Sequence, residues 1–477
     1  MDQVNKDKFY IGIDIGTTAT KAVCFDVEGN VVNQISHSYS MYHPKPNWSI
    51  QHPQEILETV LRCLNEITKD IQPQFISFSA AMQSIIAIDK TGKPLSDAVL
   101  WADSRADIIT DKLKNTETGN LFYQKTGIPI HPFSPMTKIA WWREFDSEIF
   151  LKTDKFISIK EYVWHYLTGE YCIDTSMASG TGLLNIHTLK WDEEILDFLQ
   201  IKPQQLSAIY EVTHQAKGIS DDFLYVLGGG DGPLANLGTG AMKEGFMALT
   251  IGTSGAVRLP VNQPFLDEQM RTQCYHLYGN QYLSLGAVNN GAIVLQWLKE
   301  SVLKTTVSYE ELFAAAEKIP AGSEGLLFVP YLLGERAPIW DASAQGSLLG
   351  MQIIHTQAHL VKATLEGILF GLFQITEILL PDPEKRKETT IMASGGFGKS
   401  ELWLQIVADI FQMNVQTSHT VEGSAWGAVL IGLQSTNVVV KNQTKTEKTF
   451  LPDPTNKKIY EEAFTKFSKV YGLLKGL

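Results

Sequence analysis

Two short stretches constrain this chain more than anything else in it. Residues 10–25 read YIGIDIGTTATKAVCF, and residues 247–257 read MALTIGTSGAV. In each, a run of strand-forming residues turns at I-G-T-[ST] and resumes as a second strand, which is the pattern of a β-hairpin with a glycine-hydroxyl tip. Backbone amides presented in such a tip bind phosphate oxygens, because no side chain blocks the approach. The first copy carries Asp14 ahead of its glycine, where a carboxylate can hold a magnesium ion; the second has Thr250 there. One nucleotide carries one such metal site. Two phosphate hairpins with a single acid therefore read as the two halves of one nucleotide pocket, contributed by two related domains.

The rest of the chain supports a duplication. A third strand is expected at Val31–Ile35, and the apolar spacing of Ile56, Val60, Leu61, Leu64 and Ile67 predicts a helix over 54–69. FISFSA and SIIAID read as further strands. The theme restarts near Phe246, with strands at 247–251 and 256–259 and a helix near 293–299. Late in the chain, IMASGG reads as a strand closing on glycine, followed by a helix over 400–411. A polar stretch, 435–456, is expected to separate the body from a final helix over 457–475 that packs back on it.

A length of 477 residues suits two or three domains. With 44% hydrophobic and 19% charged residues the chain is a folded one, and a net charge of −12 without a basic run argues against a nucleic-acid partner. The most apolar segment, 361–380, holds Lys362, Glu366 and Glu377, which predicts a core helix and no membrane span. The polar start predicts no leader peptide, and four scattered cysteines without C-x-x-C suit reduced thiols in the cytoplasm.

Three more motifs bear on chemistry. SGGFGKS ends in G-K-S, but a phosphate loop of the G-x-x-x-x-G-K-[ST] kind needs glycine at 393, where the chain has Ala393. The glycine pair still allows a flat base or a phosphate close to the backbone. GGGDGP places Asp231 before a helix, either as its N-cap or as a carboxylate in a glycine-lined cleft that accepts a proton from an attacking hydroxyl. HTQAH lacks the glutamate of a zinc helix, so His355 and His359 read as surface or capping residues. One ring of Trp141–Trp142 is expected in the core.

YIGIDIGTTATKAVCFD, VLWADSRA, GGGDG, LTIGTSG, GERAPIWDASAQGSLLG and ASGGFGKSELWLQIVADIF follow one another as in the FGGY family of carbohydrate kinases, which the chain resembles from first strand to last helix. The resemblance implies an α/β fold of two duplicated actin-like (ribonuclease H-like) ATPase domains, 1–244 and 245–477, around a central cleft. It implies ATP and Mg2+ as cofactors, with the sugar deeper and mostly against the N-terminal domain. Carried over by position, Asp231 is the catalytic base and Asp14 the acid near the metal. Gly16, Thr17, Thr18 and Lys21 form the first phosphate loop, and Gly252 and Thr253 the second. Gly395, Gly396 and Ser400 lie beside the adenine, with Gln296 a looser candidate. No residue of GERAPIWD is assigned to the site.

Substrate residues diverge within the family. Met82-Gln83 differs from the Met-His of a typical xylulokinase and the Arg-Glu of a glycerol kinase. The surrounding stretches resemble the gluconokinase branch, which implies D-gluconate as substrate, with xylulose or another ketose or polyol as runner-up. Arg105 offers a bidentate fork for a carboxylate, His131, Lys138 and Lys160 are other partners, and Gln83 and Asp103 can bond hydroxyls. The expected partners are thus a small sugar or sugar acid and at most a second copy of the chain. A chaperone- or filament-type ATPase of the same fold is the rival, and it would use no sugar.

Overall fold

The computed structural model describes residues 8–418, 422–438 and 446–475. Phe9–Ile15 (β1), Ala19–Phe25 (β2) and Val31–Ser38 (β3) form an antiparallel meander. Helix α1, Pro53–Ile67, starts on a proline whose missing N–H costs nothing at that position, and buries Ile56, Val60, Cys63, Leu64 and Ile67 on one stripe. Pro73–Ala80 (β4) then runs parallel to β1. A long insertion follows, containing helix α2, Pro135–Phe145. Gln215–Lys217 (β5) and Leu224–Gly230 (β6) complete a six-stranded sheet of order β5-β6-β4-β1-β2-β3, with β6 parallel to β4. Helix α3, Asp231–Gly238, leaves the end of β6.

The second half repeats this plan. Phe246–Ile251 (β7), Gly255–Val261 (β8), Gln273–Tyr278 (β9) and Gln281–Val288 (β10) are joined antiparallel, β8 lying between β7 and β10. After helices α4 (Ala292–Trp297) and α5 (Gln357–Leu379), Thr390–Ser394 (β11) runs parallel to β7. Helix α6 (Glu401–Phe411) leads to Asn414–Ser418 (β12), parallel to β11, and helix α7 (Gly423–Ser435) follows it. Thr446–Phe450 (β13) adds an antiparallel edge, giving the order β9-β10-β8-β7-β11-β12-β13. Without the edge strands β5, β9 and β13, the sheets read β3-β2-β1-β4-β6 and β10-β8-β7-β11-β12, with the same pairings in the same places. The duplication suggested by two hairpin tips is present in the topology.

The polar stretch expected to be a separator is corrected by β13. The described part of this strand is solvent-exposed at Glu447, Lys448 and Thr449, as an edge strand is, so it carries no apolar run to reveal it. The last helix, α8 (Lys457–Leu474), does lie on the body: Phe467 meets Phe370 with ring centroids 5.5 Å apart, and the Tyr460 hydroxyl donates to Glu366 of α5 at 3.0 Å. Tyr460 rather than Ile459 faces inward there; Ile459 is exposed. Helix α5 is long and apolar enough to cross a membrane by composition, yet it is buried core, with even Lys362 and Glu366 inside. His359 bonds the start of α5 through the Thr356 amide and hydroxyl, the capping role expected of it. Trp142 is core, while Trp141 stands edge-on to Trp48.

Helix α7 crosses between the halves. It follows the last parallel strand of the second sheet but packs on the first. A Cβ on Gly12 of β1 would lie 2.3 Å from the Ala425 carbonyl oxygen, and one on Gly427 would lie 2.0 Å from that of Leu234 in α3. Glycine is required where two backbones approach this closely. Trp426 meets Phe25 of β2 at 5.0 Å between centroids. The chain thus changes sheet near residue 245, whereas α7 returns across that division.

Candidate active site

Residues of both sheets converge on the end of β6. Gly230 is the N-cap of α3, its amide donating to Ser176 Oγ at 3.2 Å, and Asp231 is the first helical residue. The N-cap reading of Asp231 is therefore corrected: its carboxylate accepts the amide of Gly232, at 2.7 Å, and among the described residues no side chain donates to it. Burial raises its pKa, the charge of Asp14 raises it further, and the Gly232 amide and the Arg258 guanidinium oppose this, leaving it at about 6. Asp14 accepts the Ser79 hydroxyl at 2.7 Å and is itself raised, chiefly by burial. Two mutually repelling carboxylates with hard oxygen donors suit a small divalent cation, which takes one or two such groups and keeps its waters and phosphate ligands. Asp14, with one oxygen not bonded by Ser79, is the residue fitted to hold it.

The two hairpin tips lie on either side. At the first, the Gly16 amide closes the turn on the Ala19 carbonyl at 3.0 Å. Thr17 is fixed from below, its carbonyl bonded by Gln51 at 2.8 Å and its hydroxyl by Trp101 Nε1 at 3.3 Å, while Thr18 is exposed. Lys21, expected on phosphate, pairs with Glu422 at 3.0 Å at the foot of α7. At the second tip, Gly252 and Thr253 are exposed, and their carbonyls accept the amides of Ala292 (2.8 Å) and Gly291 (3.1 Å), seating the start of α4 beneath them. Gln296 lies on the exposed face of α4, bonded to Glu300 at 3.1 Å. Gly395 closes β11 in the left-handed region, with φ 98°, beside the open Gly396. Ser400 caps α6, its hydroxyl oxygen accepting the Trp403 amide at 3.3 Å.

On the sugar side, Met82 wedges against the β6 turn: a Cβ on Gly230 would lie 2.6 Å from its sulfur. Gln83, with φ 68°, donates to the Tyr275 hydroxyl at 2.9 Å and so links the first half to β9 of the second. His131 is held between Phe133 and Trp340, centroids 4.6 and 5.2 Å away, and burial with the Arg336 charge pulls its pKa to about 3. Its surroundings thus favour the neutral ring, which offers a substrate a hydrogen bond rather than a charge.

The remaining expected residues have partners that the sequence does not reveal. Arg105 grips Asp103 through Nε and Nη2, both at 2.8 Å, and lies 3.6 Å above the Trp48 ring. Asp103 also accepts the amides of Ser49 and Arg105, so its oxygens are filled. Lys160 pairs with buried Asp174 at 2.6 Å. Lys138 donates to the carbonyls of Leu100 (2.7 Å), Phe133 (2.9 Å) and Gln83 (3.0 Å), using all three of its N–H bonds to position the Gln83 loop. Sequence reasoning missed Ser79, Tyr275, Arg258 and Arg336. Arg336 stood in the GERAPIWD stretch and Arg258 three residues past TSG, whereas nothing marks Tyr275 among the alternating residues of its strand.

Comparison with known proteins gives the family. Residues 9–233 match the N-terminal domain, and residues 247–435 the C-terminal domain, of the FGGY family of carbohydrate kinases. The chain is 40% identical to the gluconokinase of Bacillus subtilis (strain 168), over 90% of this chain and 88% of that one. Among solved structures it resembles a gluconate kinase from Lactobacillus acidophilus, with a TM-score of 0.95 and 34% identity over 98% of both chains. A xylulose kinase from the same organism is almost as similar, with a TM-score of 0.94 and 34% identity over 98% of this chain and 99% of that one.

Proposed function

The chain belongs to the FGGY family of carbohydrate kinases, and within it we propose an ATP-dependent kinase of the terminal hydroxyl of a linear sugar acid, turning D-gluconate into 6-phospho-D-gluconate. The observation that carries this reading is Asp231, a carboxylate free of capping duty at the meeting of the two sheets, with its proton affinity raised to about 6. Such a group is ionised at neutral pH yet basic enough to take a proton in the transition state. Likeness to the Bacillus subtilis gluconokinase supports a sugar acid over a neutral sugar.

The substrate hydroxyl oxygen bonds to the γ-phosphorus of ATP as the bond to the β,γ-bridging oxygen breaks, and the hydroxyl proton passes to Asp231. The Gly16 and Gly252 amides close their turns, which leaves the amides of Thr17, Thr18 and Thr253 to meet phosphate oxygens. Asp14 would hold Mg2+, which when bound neutralises phosphate charge. Met82 keeps the Asp231 turn in place, and Lys138 keeps Gln83 against the sugar.

ADP release with Mg–ATP tests the reading directly. D-Gluconate is expected to stimulate it at least about 100-fold over background, the lower end of what positioned acid–base chemistry alone supplies. Stimulation by xylulose or a polyol in its place would overturn the sugar-acid assignment, and a slow background with every sugar would overturn the kinase reading in favour of a nucleotide switch.

A further inference from the structure

An ionised sugar acid brings its carboxylate into a cleft already crowded with phosphate, and it needs a cation of its own. Arg105, Lys138 and Lys160 have their donors engaged by Asp103, by three carbonyls and by Asp174. Two guanidinium groups on the C-terminal wall differ. Arg258 of β8 gives Nη1 to Thr250 Oγ1 at 3.0 Å, and its Nε–Nη2 edge runs past Gly232, whose Cβ, if it had one, would lie 3.5 Å from Nε and 3.9 Å from Nη2. Arg336 gives Nη2 to the Val288 carbonyl at 3.1 Å, while its Nε is buried without a partner and its Cζ lies 5.6 Å from the Trp101 ring centroid.

Neither arginine forms an ion pair among the described residues. Glu335, next to Arg336 in sequence, turns its carboxylate to the Asn289 amide, Asn290 Nδ2 and the Arg336 amide at 2.6, 2.9 and 2.8 Å. Both guanidiniums act on Tyr275, and that of Arg258 acts on Arg336. Asp231 draws on Arg258 and Glu335 on Arg336, but neither stands within ion-pair distance, and a bound anion would relieve the remaining repulsion between the two guanidiniums in a partly dehydrated cleft. The location borders the sugar side as well as the phosphate tips, where Arg258 bonds Thr250 and Trp101 bonds Thr17. Tyr275 bonds Gln83 of the sugar loop, and Trp340, four residues beyond Arg336, packs on His131. The phosphates have donors of their own in the two tips.

We propose that Arg258 and Arg336 together receive the carboxylate of the substrate, Arg258 side-on through its free Nε–Nη2 edge, with Trp101, Tyr275 and Gln83 framing the carbon chain between them and Asp231. This assignment rests on the sugar-acid reading above, and D-gluconate set against D-glucitol, which differ only by a carboxylate in place of CH2OH, separates the two.

Steady-state kinetics of the full chain with Arg258→Leu and Arg336→Leu test it. Each is expected to raise the KM for D-gluconate by about 10- to 100-fold, the scale of losing a charged hydrogen bond in a recessed site. The KM for ATP and the turnover or inhibition constant of D-glucitol should stay within about threefold, so that discrimination between the two ligands collapses. A parallel loss with both ligands, or a fall in kcat at unchanged KM, would assign the arginines to the transferring phosphoryl and overturn the proposal, as would unchanged kinetics. Wild-type protein that ignores D-gluconate but phosphorylates a ketose would instead overturn the underlying reading. Should a leucine variant fail to fold, Arg258→Lys and Arg336→Lys decide: the charge remains without the fork, so an intermediate rise in the gluconate KM alone is expected, and no rise counts against the idea.

Discussion

Asp231 combines two properties that pull in opposite directions. Its carboxylate must be ionised to accept a proton, and its surroundings oppose ionisation, holding the pKa at about 6. In the free enzyme kcat/KM should therefore fall about tenfold per pH unit below 6, the slope of a single protonation. Asp231→Asn should lower kcat by about 10²- to 10⁴-fold while the KM for ATP stays within about threefold. The same shift has a sign for stability. The folded pKa lies above the ordinary 3.8, so the group favours folding below pH 4 and loses that contribution as pH rises through 6. Asp231→Asn should accordingly melt higher than wild type at pH 8, by at most ~3 kcal/mol, and equal to it near pH 4. Thermal melts at the two pH values check this; a destabilised variant at pH 8 would contradict it. Residue types at this scale were legible in the sequence, and their partners were not. GGGDG marks Asp231, but nothing near Arg105 or Lys160 announces that Asp103 and Asp174 engage them. Even Asp103, two residues from Arg105, is shown to be its partner only by the fold, and Asp174 lies fourteen residues from Lys160.

The hairpin tips show the same division at the scale of elements. β1–β2 and β7–β8 were readable because strand alternation and glycine turns are local properties. What a given glycine does was not readable. Gly395 has φ 98° and a Cβ there would sit 2.5 Å from the Ile251 carbonyl oxygen, so its glycine serves the backbone. Gly252 has no heavy atom within 4 Å of a built Cβ, so nothing in the protein demands glycine there, and the approach of a ligand remains as the reason. Gly395→Ala should cost about 2 kcal/mol or more, visible as a lowered Tm. Gly252→Ala should leave Tm within the scatter of ordinary surface changes, about 0.5 kcal/mol, and raise the KM for ATP instead. If Gly252→Ala melted as low as Gly395→Ala, the second tip would be a structural turn and not a phosphate site. β13 escaped detection for the converse reason: an edge strand half in water needs no apolar alternation.

On the scale of the whole molecule, the proposed nucleotide would meet tips that belong to different sheets, so transfer would be aided by the approach of the sheets. Their connection lies in α3 and α7, whose backbones touch at Leu234 and Gly427 and whose Ser424 hydroxyl reaches the Asp231 carbonyl at 3.3 Å. The proposed base therefore sits on the element about which the halves are joined, and Lys21 with Glu422 ties β2 to the foot of α7 beside it. None of this was legible from sequence periodicity, because α7 reads as an ordinary late helix and only packing reveals that it lies on the first sheet. D-Gluconate together with a non-hydrolysable ATP analogue should lower the radius of gyration measured by small-angle scattering, from about 23 Å for a chain this long. Either ligand alone should give a smaller change, since each touches fewer donors on the opposite half. Gly427→Val tests the connection itself. Its Cβ would fall 2.0 Å from the Leu234 carbonyl oxygen, so the two helices must separate and carry Asp231 with them. ATP binding, which relies on the tips, should survive in that variant, while kcat and the ligand-induced compaction are lost together. Compaction that persists with kcat intact would place the pivot elsewhere. Compaction that persists while kcat is lost would mean that α3 serves to aim the base and not to couple the halves.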